Sequence, residues 1–285
     1  MPENGRPVRK ATLIATDLDR TMIYSRNAFG GVPESSTVCV EHLDGAPLSF
    51  MTVLAAESLA ALSTPAALVP TTTRTIEQFQ RIRLPGAPWR FAITTNGGNI
   101  LEDGVPDIDW RAGLEAAVHA IGVTLAEVNA ELRSRVDDSF VLKFRVADEL
   151  FNYLVVDLAT LPADFLAEWD AWCRPRGWSA SQQGRKIYTM PDAVCKSRAV
   201  AEVRRRLVDS GELDPAAPLL AAGDGALDAE MLRSAHAAIR PRHGELEQLA
   251  FTHPNLTVTE SSGIRAAEEI LTWFAAATPQ LTGTH

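Results

Sequence analysis

Six short apolar stretches recur along this chain, and most of them close on a polar or acidic residue. They span residues 12–19, 67–73, 91–96, 218–224, 235–240 and 256–259. Unbroken apolar runs of this length suit strands buried on both faces, because a parallel sheet covered by helices has no wet side. Helical patterns fall between them, over 54–62, 75–82, 197–208, 227–235 and 264–276. Strand, helix and strand in alternation predict an α/β fold with a doubly wound, mostly parallel sheet. Ligands bind beyond the carboxyl ends of the strands in such sheets, so the residues that close each run are the ones to inspect.

From about residue 104 to 183 the pattern changes. Helical segments at 113–121, 125–136 and 164–174 mix with strands at 140–146, 153–157 and 178–181, and Trp110, Trp169, Trp172 and Trp178 lie here. This predicts an inserted α+β domain over 104–183, with 1–103 and 184–285 forming the main body. A smaller insertion follows the first strand. Alternating runs at 37–42 and 47–52 flank Leu43-Asp44-Gly45, and Asp-Gly between such runs signals a β-hairpin.

Charge and composition narrow the partners. With 27 basic and 36 acidic residues the net charge is −9. That argues against nucleic acid, whose backbone needs a basic face, and it requires a local cation wherever an anion is to bind. Three scattered cysteines, Cys39, Cys173 and Cys195, fit neither a disulfide scaffold nor a zinc knuckle and suit a reducing cytoplasm. The most apolar stretch, 150–161, is broken by Asn152 and Asp157 and falls short of the roughly 20 residues of a membrane span. The polar start MPENGRPVRK lacks the apolar segment of a signal peptide. A cytoplasmic protein that does not engage a membrane is expected.

The first strand closes on Asp17-Leu18-Asp19-Arg20-Thr21. Two carboxylates two residues apart point the same way along a pleat or straddle the turn beyond it; a solvated acidic turn is the ordinary alternative. A calcium loop is excluded by Met22 and Ala28, which stand where it needs Gly and Glu. The second run closes on Thr71-Thr72-Thr73-Arg74, either a hydroxyl cap for the next helix or, since free N–H groups converge there, a phosphate site. Gly223-Asp224-Gly225-Ala226-Leu227-Asp228 follows a later run. Asp228 stands where a dinucleotide fingerprint has its last Gly, and no Gly-Lys-Ser/Thr is present, so a hard-cation site fits better. Lys196 opens an amphipathic helix; taken alone it is a surface charge.

In order, Asp-x-Asp-x-Thr, a strand-end Thr, a Lys and Gly-Asp-x-x-x-Asp resemble the four motifs of haloacid dehalogenase-like hydrolases, over nearly the whole chain. Asp17 and Thr72 are 55 residues apart, which leaves no room for a helical cap beyond the hairpin; Thr72 and Lys196 are 124 apart, which does. The chain therefore resembles the subclass with an α+β cap (type IIB, Cof-like), which includes sucrose-phosphatase-like and mannosyl-3-phosphoglycerate-phosphatase-like proteins. Asn96-Gly97-Gly98 before the cap, and Lys196 after Ile187-Tyr188-Thr189-Met190-Pro191, also look like that subclass. The resemblance implies a Mg²⁺-dependent phosphatase of a small phosphorylated metabolite, a sugar phosphate foremost, working through an aspartyl-phosphate. Asp17 would be the nucleophile and Asp19 the acid and then the base. Mg²⁺ would sit on Asp17, the backbone carbonyl of Asp19 and Asp224. Thr72 and Lys196 would hold the phosphoryl oxygens, with Asp228 orienting Lys196 from behind. Asn96 is a candidate for substrate contact. So are Arg185 and Lys186, for which solvated hinge charges are the alternative. Trp169, Trp172 and Trp178 are either a sugar platform or core. A phosphomutase, and a silent binding protein on the same fold, are the competing functions. Three residues depart from the family pattern: Arg20 replaces its usual Gly, Thr73 stands where Thr-Gly-Arg is common, and Leu227 replaces an Asn.

Overall fold

The structure of the chain, a computed structural model, describes residues 9–278, and the elements below are those of the described residues. Strand β1 (Leu13–Thr16) leads to the hairpin β2 (Thr37–Leu43) and β3 (Ala46–Thr52), then α1 (Val53–Leu62), β4 (Ala67–Pro70) and α2 (Ile76–Gln80). Three short strands follow, β5 (Phe91–Thr94), β6 (Asn99–Glu102) and β7 (Val105–Pro106). Next come α3 (Ile108–His119), α4 (Leu125–Arg135), β8 (Val141–Ala147), β9 (Phe151–Val156), α5 (Phe165–Cys173), β10 (Trp178–Gln183) and β11 (Lys186–Pro191). The chain returns through α6 (Lys196–Asp209), β12 (Leu219–Ala222), α7 (Ala229–Ser234), β13 (Ala237–Arg240), α8 (Glu245–Gln248), β14 (Leu256–Val258) and α9 (Ile264–Ala277).

Five strands make a parallel sheet in the order β14-β13-β12-β1-β4. Successive side chains of β1 face opposite ways. Leu13 and Ala15 pack with Val200, Val203 and Leu207 of α6, while Ile14 packs with Leu59 of α1 and with Ile270 and Phe274 of α9. Helices thus cover both faces and every residue of β1 is buried; its one polar side chain, Thr16, donates to the Asp17 carbonyl at 2.9 Å. The hairpin β2–β3 turns at Asp44-Gly45, both at positive φ. It packs Val40, Phe50 and Met51 onto the α1/α9 side of the core.

The run at 91–96 forms a strand but does not extend the parallel sheet. β5 pairs antiparallel with β6 and reaches the end of β4 only through a bridge between Thr71 and Ile93. The β6–β7 hairpin, turning at Asp103-Gly104, lies outside every expected strand, because its apolar content is little more than Ile100-Leu101.

A second sheet, antiparallel, runs in the order β10-β11-β9-β8. Val128 and Leu132 of α4 and Trp169 of α5 pack against Leu154 and Trp178 to give it a core of its own. Helix α3 begins at Ile108 rather than 113, because Asp107 caps it by accepting from the N–H groups of Asp109 and Trp110. The expected boundary at 183/184 falls on the tip of a hairpin: β11 pairs with both β10 and β9, so the sheet runs on to Pro191. Gly184 at φ 57 makes that tight turn. Trp169 and Trp178 are buried and Trp172 stacks on Trp169 at 4.9 Å, so these rings belong to the core rather than to a sugar platform. Among the described residues no helix is long and apolar enough to cross a membrane.

Candidate active site

Strands β1 and β12 lie side by side, and each gives way to an acidic loop. The N–H of Asp17 donates to the carbonyl of Ala222 at 2.9 Å, so the loops that carry Asp17 and Asp224 start together. The register of β1 with β4, Thr16 opposite Pro70, carries Thr71 and Thr72 along the same edge. Lys196 opens α6 and is 1% exposed. Its Nζ donates to Asp17 Oδ1 at 2.7 Å and to Asp228 Oδ1 at 2.5 Å. Asp228 Oδ2 accepts the N–H of Gly225 at 2.9 Å, and Thr21 Oγ1 donates to Asp17 Oδ2 at 3.4 Å. A side chain at Gly223 would collide with the Asp228 carboxyl, which fixes how closely this loop closes.

Burial dominates the electrostatics. It lifts the Asp17 carboxyl to about 7, with Asp228 and Asp19 adding to the effect and Lys196 opposing it. Burial, then Asp17 and Asp228, push Asp224 well above the ordinary carboxylate range. At Lys196 burial disfavours the charge, but Asp17 and Asp228 outweigh it and raise its pKa. Asp17, Asp224 and Asp228 each bring an oxygen within 4.8 Å of the others. Asp224 Oδ2 is buried with no hydrogen-bond partner, and Arg20 Nε stands 3.6 Å from it. Clustered hard oxygen donors, one of them orphaned, are a donor set that fits a small divalent cation.

The Asp19 carboxylate leaves this buried group. It is 42% exposed and accepts two bonds of 2.7 Å, from Arg74 Nε and Nη2. Arg74 Nη1 donates to Glu41 Oε1 at 2.6 Å, and Ser49 Oγ donates to Glu41 Oε2 at 2.6 Å. Burial pulls the Asp19 carboxyl up, but Arg74 overrides it and holds the group below its ordinary value. Sequence reasoning missed this chain of contacts. Arg74 ends the second run in plain view, whereas Glu41 is turned inward by an irregularity in the β2–β3 ladder that period-two alternation cannot show.

Thr72 is buried, and its Oγ1 accepts the N–H of Arg74 at 3.1 Å. It is not the cap of α2: Thr75 is, with Gln78 closing a capping box. Asn96 lies apart from the cavity that holds Asp19 and lines another, beside Met190 and Cys195. Its left-handed backbone tucks the side chain under the return of the chain, where Nδ2 donates to the carbonyl of Val194 at 3.2 Å. Arg185 does line a cavity, of about 300 Å³, with Asp19, Arg20, Thr73, Gln183, Lys186 and Tyr188. Gln183 Nε2 also reaches Asp224 Oδ1 at 3.4 Å, so the β10–β11 turn touches the acidic cluster. Arg20 holds φ 62, and its carbonyl accepts from His243 Nε2 at 2.8 Å while His243 Nδ1 accepts the N–H of Gly263.

No family model matches the sequence, and no curated protein matches it. Solved structures do match in three dimensions. The sucrose-phosphatase of Synechocystis sp. PCC6803, solved with sucrose and phosphate, superposes with a TM-score of 0.61 at 14% identity over 93% of this chain and 98% of its own. A trehalose-6-phosphate phosphatase related protein gives 0.53 at 18% identity, over 93% and 97%. A phosphatase of the haloalkanoate (HAD) enzyme superfamily from Bacteroides thetaiotaomicron gives 0.52 at 14%, over 96% and 98%. At such identities the likeness is one of architecture, and it agrees with the order of the motifs along the strand ends: the chain has the haloacid dehalogenase-like fold.

Proposed function

We propose that the chain is a Mg²⁺-dependent phosphatase of a small phosphorylated metabolite of the sugar-phosphate kind. The observation that carries this reading is the buried group at the strand ends. There Lys196 bridges Asp17 and Asp228, and Asp224 keeps an unpartnered oxygen beside them. The neighbouring structures named for sucrose and trehalose-6-phosphate phosphatases support it. Asp17, Asp224 and the backbone carbonyl of Asp19 would hold the cation. Bound there, it offsets the carboxylate charge that would otherwise repel a phosphate dianion.

The remaining steps belong to the chain's own residues. An Asp17 oxygen attacks phosphorus, the bond from phosphorus to the leaving oxygen breaks, and Asp19 gives that oxygen a proton. Lys196 and Thr72 hold the equatorial oxygens as charge develops on them. Ionised Asp19 then takes a proton from water, whose oxygen attacks phosphorus and returns Asp17 as a carboxylate with release of inorganic phosphate. The pairing of Asp19 with Arg74 is the form competent as base; the protonated form cannot keep both Arg74 bonds. Residues 104–191 are proposed as the cap over the site, extending the expected 104–183 by the last strand of its sheet. The test is phosphate release over a panel of sugar phosphates, phosphoglycerates and nucleotides, with MgCl₂ and with excess chelator. Release confined to the magnesium arm is expected, and full activity in chelator would overturn the metal assignment. A phosphorylated product in place of free phosphate would make the chain a phosphomutase.

A further inference from the structure

The cavity of about 300 Å³ is lined by Asp19 and Arg20 from the main body and by Gln183, Arg185 and Lys186 from the β10–β11 turn; none of Asp17, Thr72, Lys196, Asp224 or Asp228 lines it. It therefore opens on the side of Asp19, the group assigned to the leaving oxygen, with the phosphoryl contacts beneath. Whatever lines it meets the leaving group. Three cations do so. Its one carboxylate, Asp19, has both oxygens occupied by Arg74. Among the described residues Arg185 and Lys186 have no ion-pair partner; Lys186 Nζ lies 5.5 Å over the Tyr153 ring. Among the described residues the Arg20 guanidinium has one ion-pair partner, Asp224 Oδ2 at 3.6 Å, an oxygen that a bound cation would take over.

On a chain of net charge −9, three cations around one cavity form a local positive field that gathers anions. Arg20 adds a second argument. Its φ of 62 is a left-handed conformation that glycine adopts freely and arginine does not, and its carbonyl accepts from His243 Nε2. Its side chain is 48% exposed and lies on the cavity wall, where it can meet a ligand.

We propose that the ester taken here carries a second anionic group, a carboxylate or another phosphate, on its leaving side, held by Arg20, Arg185 and Lys186. The proposal rests on the phosphatase reading for the direction of the leaving group. The test uses two matched pairs in MgCl₂: 3-phosphoglycerate against glycerol 3-phosphate, and glucose 1,6-bisphosphate against glucose 6-phosphate. Phosphate release is measured on the wild type, and binding by calorimetry on Asp17→Asn, which needs no turnover. The charged member of at least one pair is expected to lead by about tenfold or more in kcat/KM and in Kd, as charge-assisted contacts give. The lead should shrink as NaCl rises, and fall below about threefold in Arg20→Gly and in Arg185→Gln/Lys186→Gln. The pair that responds tells carboxylate from phosphate. Equal treatment of both pairs, a lead that survives in the variants, or binding of none of the four esters overturns the proposal. A charge-dependent lead in binding without phosphate release would instead overturn the phosphatase reading and leave this one standing.

Discussion

Asp17 is asked to be an anion in a place that disfavours one. In the unfolded chain its pKa is the ordinary 3.8; burial raises it to about 7 in the fold. Between those values the folded, metal-free protein binds a proton that the unfolded chain has released. Stability should therefore fall as pH rises from about 4 to about 7, by at most about 1.4 kcal/mol per unit from this group. Asp224 acts in the same direction. Urea unfolding at pH 5, 6, 7 and 8 in chelator checks the sign, and MgCl₂ should restore the loss at the upper end by binding only the folded protein. Metal-free stability that climbs across this window would mean that these carboxylates are not crowded as described. Asp17→Asn removes one charge from the cluster while keeping its shape. It should unfold at a higher temperature than wild type in chelator, yet lose about a thousandfold or more in turnover, the scale seen when a nucleophile is removed.

The β2–β3 hairpin is more than a flap, because its Glu41 holds Arg74, and Arg74 holds Asp19. Glu41 is fully buried, with Arg81 Nε also 3.5 Å away. Glu41→Ala would leave two guanidinium groups short of a counter-charge. It should cost about 3 kcal/mol in urea unfolding, the lower part of the range for breaking a buried pair, since Arg74 keeps Asp19. Glu41→Gln, whose amide oxygen still accepts, should cost less; equal losses would point to packing rather than charge. Elements such as this divide what the sequence could show from what it could not. The parallel strands were legible because burial on both faces favours unbroken apolar runs; in β1 only Thr16 is polar. That Asp17, Lys196, Asp224 and Asp228 come together was legible through the resemblance in the order of four motifs, each of them weak alone. Arg74's grip on Asp19, the inward turn of Glu41 and the hidden side chain of Asn96 depend on a bulge, a left-handed residue and pairings across long stretches of chain. None of these leaves a periodic trace.

Among the contacts that tie the β8–β11 sheet to the rest of the molecule are the hydrogen bond from Asn96 to the Val194 carbonyl, the bonds of Asp148 to Thr95 and Asn99, and the β10–β11 turn, where Gln183 reaches Asp224. Occupying the acidic cluster should steady that turn. Backbone hydrogen exchange over residues 182–186 is expected to slow by about tenfold when MgCl₂ and inorganic phosphate are added together, a shift of about 1.4 kcal/mol in local opening. Exchange there that is unchanged would show that the turn and the site are independent. The strand order has a consequence for synthesis. β1 lies between β4 and β12, yet about 150 residues separate those two neighbours in the chain. At the roughly 5–20 residues per second of a ribosome, β1 waits about 7–30 seconds with one flank open. Throughout that interval the N–H of Asp17 has no Ala222 carbonyl to bond, and all four strands of the β8–β11 sheet emerge before it ends. The centre that would do the chemistry is then among the last parts of the nascent chain to close.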